Sequence, residues 1–131
     1  YYLLYLAQFL GVSIMNFGQT SLFELASQRL QWLSDRQRVV SQNIANADVS
    51  GYRARNVESF EAYLSRADGA DKLPSAEVVK AETQWGSDMT GNNVVLEDQI
   101  LQARTAAGEY RMAAALYRKA HDMMLAVAGR R

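Results

Sequence analysis

Between Ser21 and Asn46, apolar side chains recur in two interleaved sets, each with a seven-residue repeat. Phe23, Leu30 and Ile44 form one set, with Gln37 as its polar member; Ala26, Leu33, Val40 and Ala47 form the other. Steps between the sets alternate between three and four, which puts both on one stripe of a helix, the a/d seam of a coiled coil. The opposite face carries Gln28, Arg29, Ser34, Asp35, Arg38 and Gln42, and neither Gly nor Pro interrupts the run. Ser21 and Glu24 have the spacing of a capping box, so the pattern predicts a helix from about Ser21 to Asn46, roughly 40 Å long at ~1.5 Å per residue. It should stop in Asn46-Ala47-Asp48-Val49-Ser50-Gly51-Tyr52, where short polar side chains compete with the helical backbone and Gly accepts positive φ.

A second, longer stripe occupies the C-terminal third. Leu96, Ala103, Tyr110, Tyr117 and Met124 follow one another at seven-residue intervals, and Ile100, Ala107, Ala114, His121 and Ala128 interleave with them. Only His121 is polar, and a polar residue at one seam position commonly fixes register. Asn93 is the expected N-cap, with Glu97 and Asp98 near the positive helix end and Arg118, Lys119, Arg130 and Arg131 toward the negative one. A helix over residues 94–128 follows. The middle, residues 53–92, has weaker signals: a short helix over 57–65 with Phe60, Tyr63 and Leu64 on one face, a loop over 67–74, a short strand over 77–84, and turns at 85–88 and 91–93.

The expected fold class is therefore mainly α. Long N- and C-terminal helices pair as an antiparallel coiled-coil-like hairpin around a short irregular middle segment. In domain terms the division is an apolar extension (1–14), an N-terminal helix with its helix-end motif (15–52), the middle segment (53–92) and the C-terminal helix (93–131). The expected packing seam is Phe23, Leu30, Leu33, Val40 and Ile44 against Leu96, Ile100, Tyr110, Tyr117 and Met124. Leu22, Leu25, Val39, Leu101, Met112, Leu116, Met123 and Leu125 fall off that seam, which predicts that neighbouring chains cover them, since large exposed apolar patches mark interaction sites.

Residues 1–14 (YYLLYLAQFLGVSI) are almost wholly apolar but short of the roughly 20 residues a membrane span needs. No Lys or Arg precedes the run, as one would in a cleaved secretory signal. Met15 is the expected native start, and an intact-protein mass beginning at Tyr1 or earlier would sink that expectation.

Composition removes several functions. Lys+Arg and Asp+Glu balance at 14 each in 131 residues, which argues against nucleic acid as a partner and lowers the barrier to self-association. Cysteine is absent, so disulfides, thiolate nucleophiles and thiolate metal sites are excluded. Proline occurs once, at Pro74. His121 and Asp122 are adjacent and point about 100° apart on a helix, as do Glu97 and Asp98, so neither pair makes a catalytic dyad. Arg53 and Arg55 flank a tyrosine turn and are better suited to salt bridges than to phosphate. Phosphate-loop, dinucleotide and nucleophile-elbow patterns are missing. No enzyme activity, cofactor or metal is expected.

One run of residues is specific. Ser41-Gln42-Asn43-Ile44-Ala45-Asn46-Ala47-Asp48-Val49-Ser50-Gly51-Tyr52 resembles the signature that closes the N-terminal helix of flagellar rod, hook and hook-associated proteins, in which Asn-Ile-Ala-Asn precedes a Thr-Pro-Gly-Tyr turn. Leu22-Phe23-Glu24-Leu25-Ala26, Arg53-Ala54-Arg55-Asn56-Val57, Gly91-Asn92-Asn93-Val94-Val95-Leu96-Glu97 and Leu116-Tyr117-Arg118-Lys119-Ala120-His121 resemble the proximal rod branch, B-type. Val49-Ser50 departs from Thr-Pro, and without proline's fixed φ the turn should be less rigid.

The resemblance implies a structural subunit of the proximal rod of the flagellar basal body, part of the drive shaft and export channel for motility. It implies copies of itself and other rod proteins as partners, with the MS ring and its rod adaptor at the rod base. It further implies passage through the flagellar type III export apparatus without a cleaved signal peptide, and a periplasmic location. The assembly motif it assigns is Asn43, Ala45, Asn46, Gly51 and Tyr52. The rival readings are a sibling C-type proximal subunit and a helical export adaptor or chaperone; the latter predicts a stable monomer or dimer and leaves the Asn-Ile-Ala-Asn block unexplained.

Overall fold

The computed structural model describes residues 2–82 and 86–129, with side-chain surroundings from residue 22 onward. The element order is α1 (Tyr2–Ala45), β1 (Arg55–Val57), α2 (Phe60–Ala67), β2 (Val78–Lys80) and α3 (Leu96–Ala128). Helix α1 runs unbroken through Ser21, so the capping-box start is corrected: with no proline and only two glycines upstream, nothing in residues 2–20 stops the helix propagating. The Ser21 side chain lies outside the described residues, as do Thr83 and Gln84 of the expected strand, Trp85 of the expected turn, and Arg130 and Arg131. Among the described residues, no helix is long and apolar enough to cross a membrane.

Helices α1 and α3 pair antiparallel. Phe23 meets Tyr117 edge-on with ring centroids 5.1 Å apart, Arg29 pairs with Glu109 at 3.0 Å, and Asn43 reaches Gln99 at 2.9 Å, so positions on α3 descend as those on α1 ascend. The buried stripe of α3 is Gln99, Ala106, Ala113 and Ala120, again at heptad spacing. It lies one position from the expected Ile100/Ala107/Ala114/His121 set. Small residues let the backbones approach, and α1 supplies the bulk through Leu33, Val40 and half-buried Leu30.

Helix α1 buries a second face that the seam pattern did not foresee. Trp32, Val39, Val57, Tyr63, Ala67 and Ala76 form a small core between α1 and the middle segment, with Phe60 packed beside it. Val39 is thus covered by its own chain, and Asp35 and Gln28, expected on a solvated face, are buried. The middle segment is built around a two-stranded antiparallel ribbon in which Arg55 faces Lys80 and Val57 faces Val78. Ser59 caps α2, its hydroxyl accepting from the Ala62 N–H at 3.2 Å, and Gly69 takes the left-handed turn (φ 72°) beyond it. The Trp32 indole N–H donates to the Glu58 carbonyl at 2.8 Å, and the Tyr63 hydroxyl donates to the Pro74 carbonyl at 2.9 Å.

Two carboxylates tie this segment to α1 and to itself. Burial opposes ionisation of Asp35, but hydrogen bonds from the Ala76 N–H (2.9 Å), Gln31 and Arg38 outweigh it and hold the carboxyl below its ordinary value. Glu58 is held below its ordinary value by the Arg66 guanidinium, against burial, with help from the Glu77 N–H. Depressed carboxyls contribute stability that is fully present above their unfolded pKa, about 4, and lost as pH falls through the lower folded values. The thermal midpoint should therefore stay level from pH 7 to about 5 and fall steeply below about 4. Circular dichroism melts at stepped pH check this, and Asp35→Asn should flatten the acid limb.

Candidate functional site

The residues that end α1 and those that lead into α3 interlock at one end of the hairpin. Asn43 is fully buried at their centre. Its amide nitrogen donates to the Arg55 carbonyl (2.7 Å) and to the Gln99 side-chain carbonyl (2.9 Å). Its oxygen accepts from the Tyr52 hydroxyl (3.0 Å) and the Arg55 N–H (3.0 Å). A carboxamide has two donors and two acceptor sites, and all four are used. One side chain therefore joins α1, the turn after it, strand β1 and α3. No other side chain of that size and chemistry could: aspartate lacks the donors, and glutamine adds a methylene in a filled site.

The carbonyls left open at the end of α1 are closed from across the joint. The Asn92 amide nitrogen donates to the carbonyls of Asn46 (2.9 Å), Ala47 (2.9 Å) and Val49 (2.8 Å). Its oxygen accepts from the Val94 N–H at 2.8 Å, which fixes the approach to α3. Asn93, expected as the α3 N-cap, instead accepts from the Ala54 N–H at 2.6 Å; the capping position is Val95, which makes no side-chain cap bond. The Asn46 amide donates to Gln42 in its own helix (2.7 Å) rather than across the joint. Ala45 is exposed and Tyr52 half-buried.

Gly51 and Gly91 let the two blocks touch. Both have positive φ, 73° and 83°, and the Gly51 N–H donates to the Thr90 carbonyl at 2.8 Å. A Cβ on Gly91 would lie 3.5 Å from the Gly51 Cα, so the site tolerates the volume but not the backbone conformation. Asp88 braces the loop: its carboxylate accepts from the Thr90 hydroxyl and from the Thr90 and Asn92 N–H groups, which lowers its pKa. Gly91→Ala should cost about 1–2 kcal/mol through the left-handed φ. A urea unfolding midpoint checks it, and an unchanged midpoint would show that the loop relaxes without cost.

The expected seam residues are distributed unevenly. Leu33 and Val40 are buried; Phe23, Leu30, Ile44 and Tyr117 are half-buried; Leu96, Ile100, Tyr110 and Met124 are exposed in the single chain. His121 is exposed at the flank of the hairpin, 6.5 Å from the Phe23 ring and 4.0 Å from Asp122, so it does not set register from inside the seam. Arg53 donates to Ser87, and Glu97 and Asp98 are exposed in the first turn of α3. Among the described residues, no group of three or more His, Cys, Asp or Glu side chains could hold a metal. Asn92 is the joint residue to which the sequence assigned a turn and a place in a family block, but no bonding role.

Comparison with known proteins adds two findings. The family model described as flagella basal body rod protein matches residues 23–53, the stretch from the seam of α1 through its terminal turn. The flagellar basal body rod protein FlgB of Agrobacterium fabrum (strain C58) is 32% identical over 120 residues, spanning 79% of this chain and 90% of that protein.

Proposed function

The chain belongs to the flagellar basal-body rod protein family, and on that premise we propose how its surfaces serve as those of a proximal rod subunit. It is a structural protein of the basal body, and it works by assembly with other rod proteins. What supports a role in packing is the apolar surface that the single chain leaves open. On α3, Leu101, Met112, Leu116, Leu125 and Val127 are each more than half exposed, and Leu22 and Leu25 continue that surface onto α1. An isolated hairpin gains nothing from these side chains, whereas a subunit packed among similar hairpins buries them all.

The helix-end joint has a mechanical role in this reading. Asn43, Asn46, Gly51 and Tyr52, with Asn92 and Asn93 opposite, rigidly connect the hairpin to the middle segment, so torque or axial load on one is passed to the other. Ala45, exposed beside the joint, is a contact point for a neighbour. The finer partners are the MS ring and its rod adaptor at the rod base, and the type III export apparatus during secretion, without cleavage of a signal peptide. Residues 2–14 are the apolar start of α1, ahead of Met15.

The test is cryo-EM of isolated basal bodies. Density at the rod base should accept this chain with α1 and α3 antiparallel and the open face of α3 against neighbouring helices. Density there that demands a different subunit, with this chain absent, would overturn the proposal.

A further inference from the structure

Arg29 stands where three packed elements of the chain meet. From α1, its guanidinium carbon lies 4.6 Å from the centroid of the Phe60 ring at the start of α2, and 4.8 Å from that of Trp32. The same guanidinium donates to the Glu109 carboxylate of α3 at 3.0 Å. Stacking uses the face of this planar group and the ion pair uses its edge, so one side chain holds both partners at once. Arg36 also approaches Glu109, at 3.9 Å, but its ring contact among the described residues is with Trp32 of α1, at 5.5 Å, and not with α2.

Helices α2 and α3 both flank α1 and barely touch each other directly. Together they nevertheless wall a groove of about 230 Å³, with Phe60 from α2, Leu116 and Ala120 from α3, and Leu25 and Arg29 from α1. The shape of that groove depends on where Phe60 stands relative to α3, and Arg29 on its wall is bonded to both sides.

We infer that Arg29 is a positioning residue that couples docking of the middle segment to docking of α3, so that the groove takes its shape only when both are in place. The use of this coupling rests on the rod-subunit reading: it makes a surface given to neighbouring helices conditional on complete folding of the middle segment. A chain whose α2 has lifted away loses the Phe60 wall, and its Arg29 loses one aromatic face. Such a chain offers its neighbours a different surface, and growth of the array selects subunits that have finished folding.

Amide hydrogen exchange on the full-length chain, read by mass spectrometry, measures the coupling. Glu109→Gln removes the charge of the pair on α3, yet exchange from Tyr63 to Asp68, in and just after α2, should quicken about fivefold. Coupling is reciprocal, so Phe60→Leu should quicken α3 amides around Glu109 by a similar factor, and the double variant should add little to either. Arg29→Lys keeps the charge but loses the planar face, so it should loosen α2 as Phe60→Leu does. Arg36→Gln takes the other cation from Glu109 and should change exchange in α2 by no more than about twofold. The Gly51 and Arg55 N–H groups of the joint, bonded to the Thr90 carbonyl and to Asn43, should be unchanged in every variant. A rise there equal to that in α2 would be a general loss of stability and would overturn the coupling, as would an α2 unmoved by Glu109→Gln. An equal effect of Arg36→Gln would overturn the assignment to Arg29. In cells making both chains, Glu109→Gln should be depleted about fivefold from basal bodies relative to the native chain. Equal incorporation despite a loosened α2 overturns the selection of folded subunits and leaves the rod reading standing. Absence of the native chain from basal bodies overturns the rod reading and the selection with it, but not the coupling.

Discussion

Replacing Asn43 by alanine is expected to destabilise the folded chain by about 3–5 kcal/mol, the largest effect of any single side-chain change at the joint. The size follows from what is left behind. Truncation deletes four hydrogen bonds and leaves the Arg55 N–H and carbonyl, the Tyr52 hydroxyl and the Gln99 amide without their partner around a side chain that is fully buried. Each buried unsatisfied group costs about 1–3 kcal/mol, and partial relaxation brings the total below the simple sum. Asn43→Asp distinguishes hydrogen bonding from packing, because it keeps the volume but removes both donors and aims a carboxylate at two carbonyl oxygens. It should be at least as damaging near neutral pH. Urea titration followed by circular dichroism gives the magnitude, and motility gives the consequence: a loosened joint should reduce swimming even where the subunit is still made. A loss under about 1 kcal/mol for both variants would mean that α1, β1 and α3 are held by the apolar seam alone.

How much of this was legible in the sequence depends on the range of the interaction. The two long helices follow from heptad spacing and the absence of breakers, which are local properties. Their antiparallel pairing rests on the joint that holds the end of α1 against the start of α3, which the length of the middle segment does not impose. The error of one position in the α3 stripe has a definite origin. Hydrophobicity favours Leu96, Ile100 and Tyr110 for the inside, but the helices pack where the surface is smooth, along Ala106, Ala113 and Ala120. Here the most apolar stripe of α3 is left exposed in the single chain, and the partner helix covers the smooth one beside it. The second buried face of α1 was invisible for another reason. Trp32 and Val39 are buried by Tyr63, Ala67 and Ala76, whose own positions depend on β1, and β1 is three residues with no alternation to read. Similarly, Asn43 could be singled out from the motif, while the bonds of Asn92 to the carbonyls of Asn46, Ala47 and Val49 could not be read from its turn and its family block. Hydrogen bonds that close one element's carbonyls with another's amide leave no periodic trace.

Leu116→Glu is expected to abolish motility while leaving the hairpin folded, and the contrast between those readouts is what gives it force. Leu116 is 60% exposed and lines a groove with Leu22, Leu25, Ala26, Arg29, Phe60, Ala113 and Ala120, so a charge there meets water in the single chain and costs the fold little. In an assembly that covers the groove, the same charge must be buried, and the one cation on the groove wall, Arg29, is already paired with Glu109. The lost leucine contributes about 2 kcal/mol and desolvating the carboxylate adds more, enough to weaken one contact at least a hundredfold. Because each subunit repeats its contacts along a helical array, weakening one class of contact weakens every step of growth. Ala115→Glu, one residue away on α3 and not part of the groove, is the matched control. Swim-plate diameter and the amount of the chain in isolated basal bodies are the measurements, with the thermal midpoint taken in parallel. Normal swimming with Leu116→Glu would mean that the groove faces solvent in the rod and that the neighbour packs elsewhere on α3. Equal loss with Ala115→Glu would mean that charge anywhere on that helix is excluded. In the first case the exposed leucines and methionines of α3 would need a reason other than assembly, and in the second the covered surface would be wider than the groove.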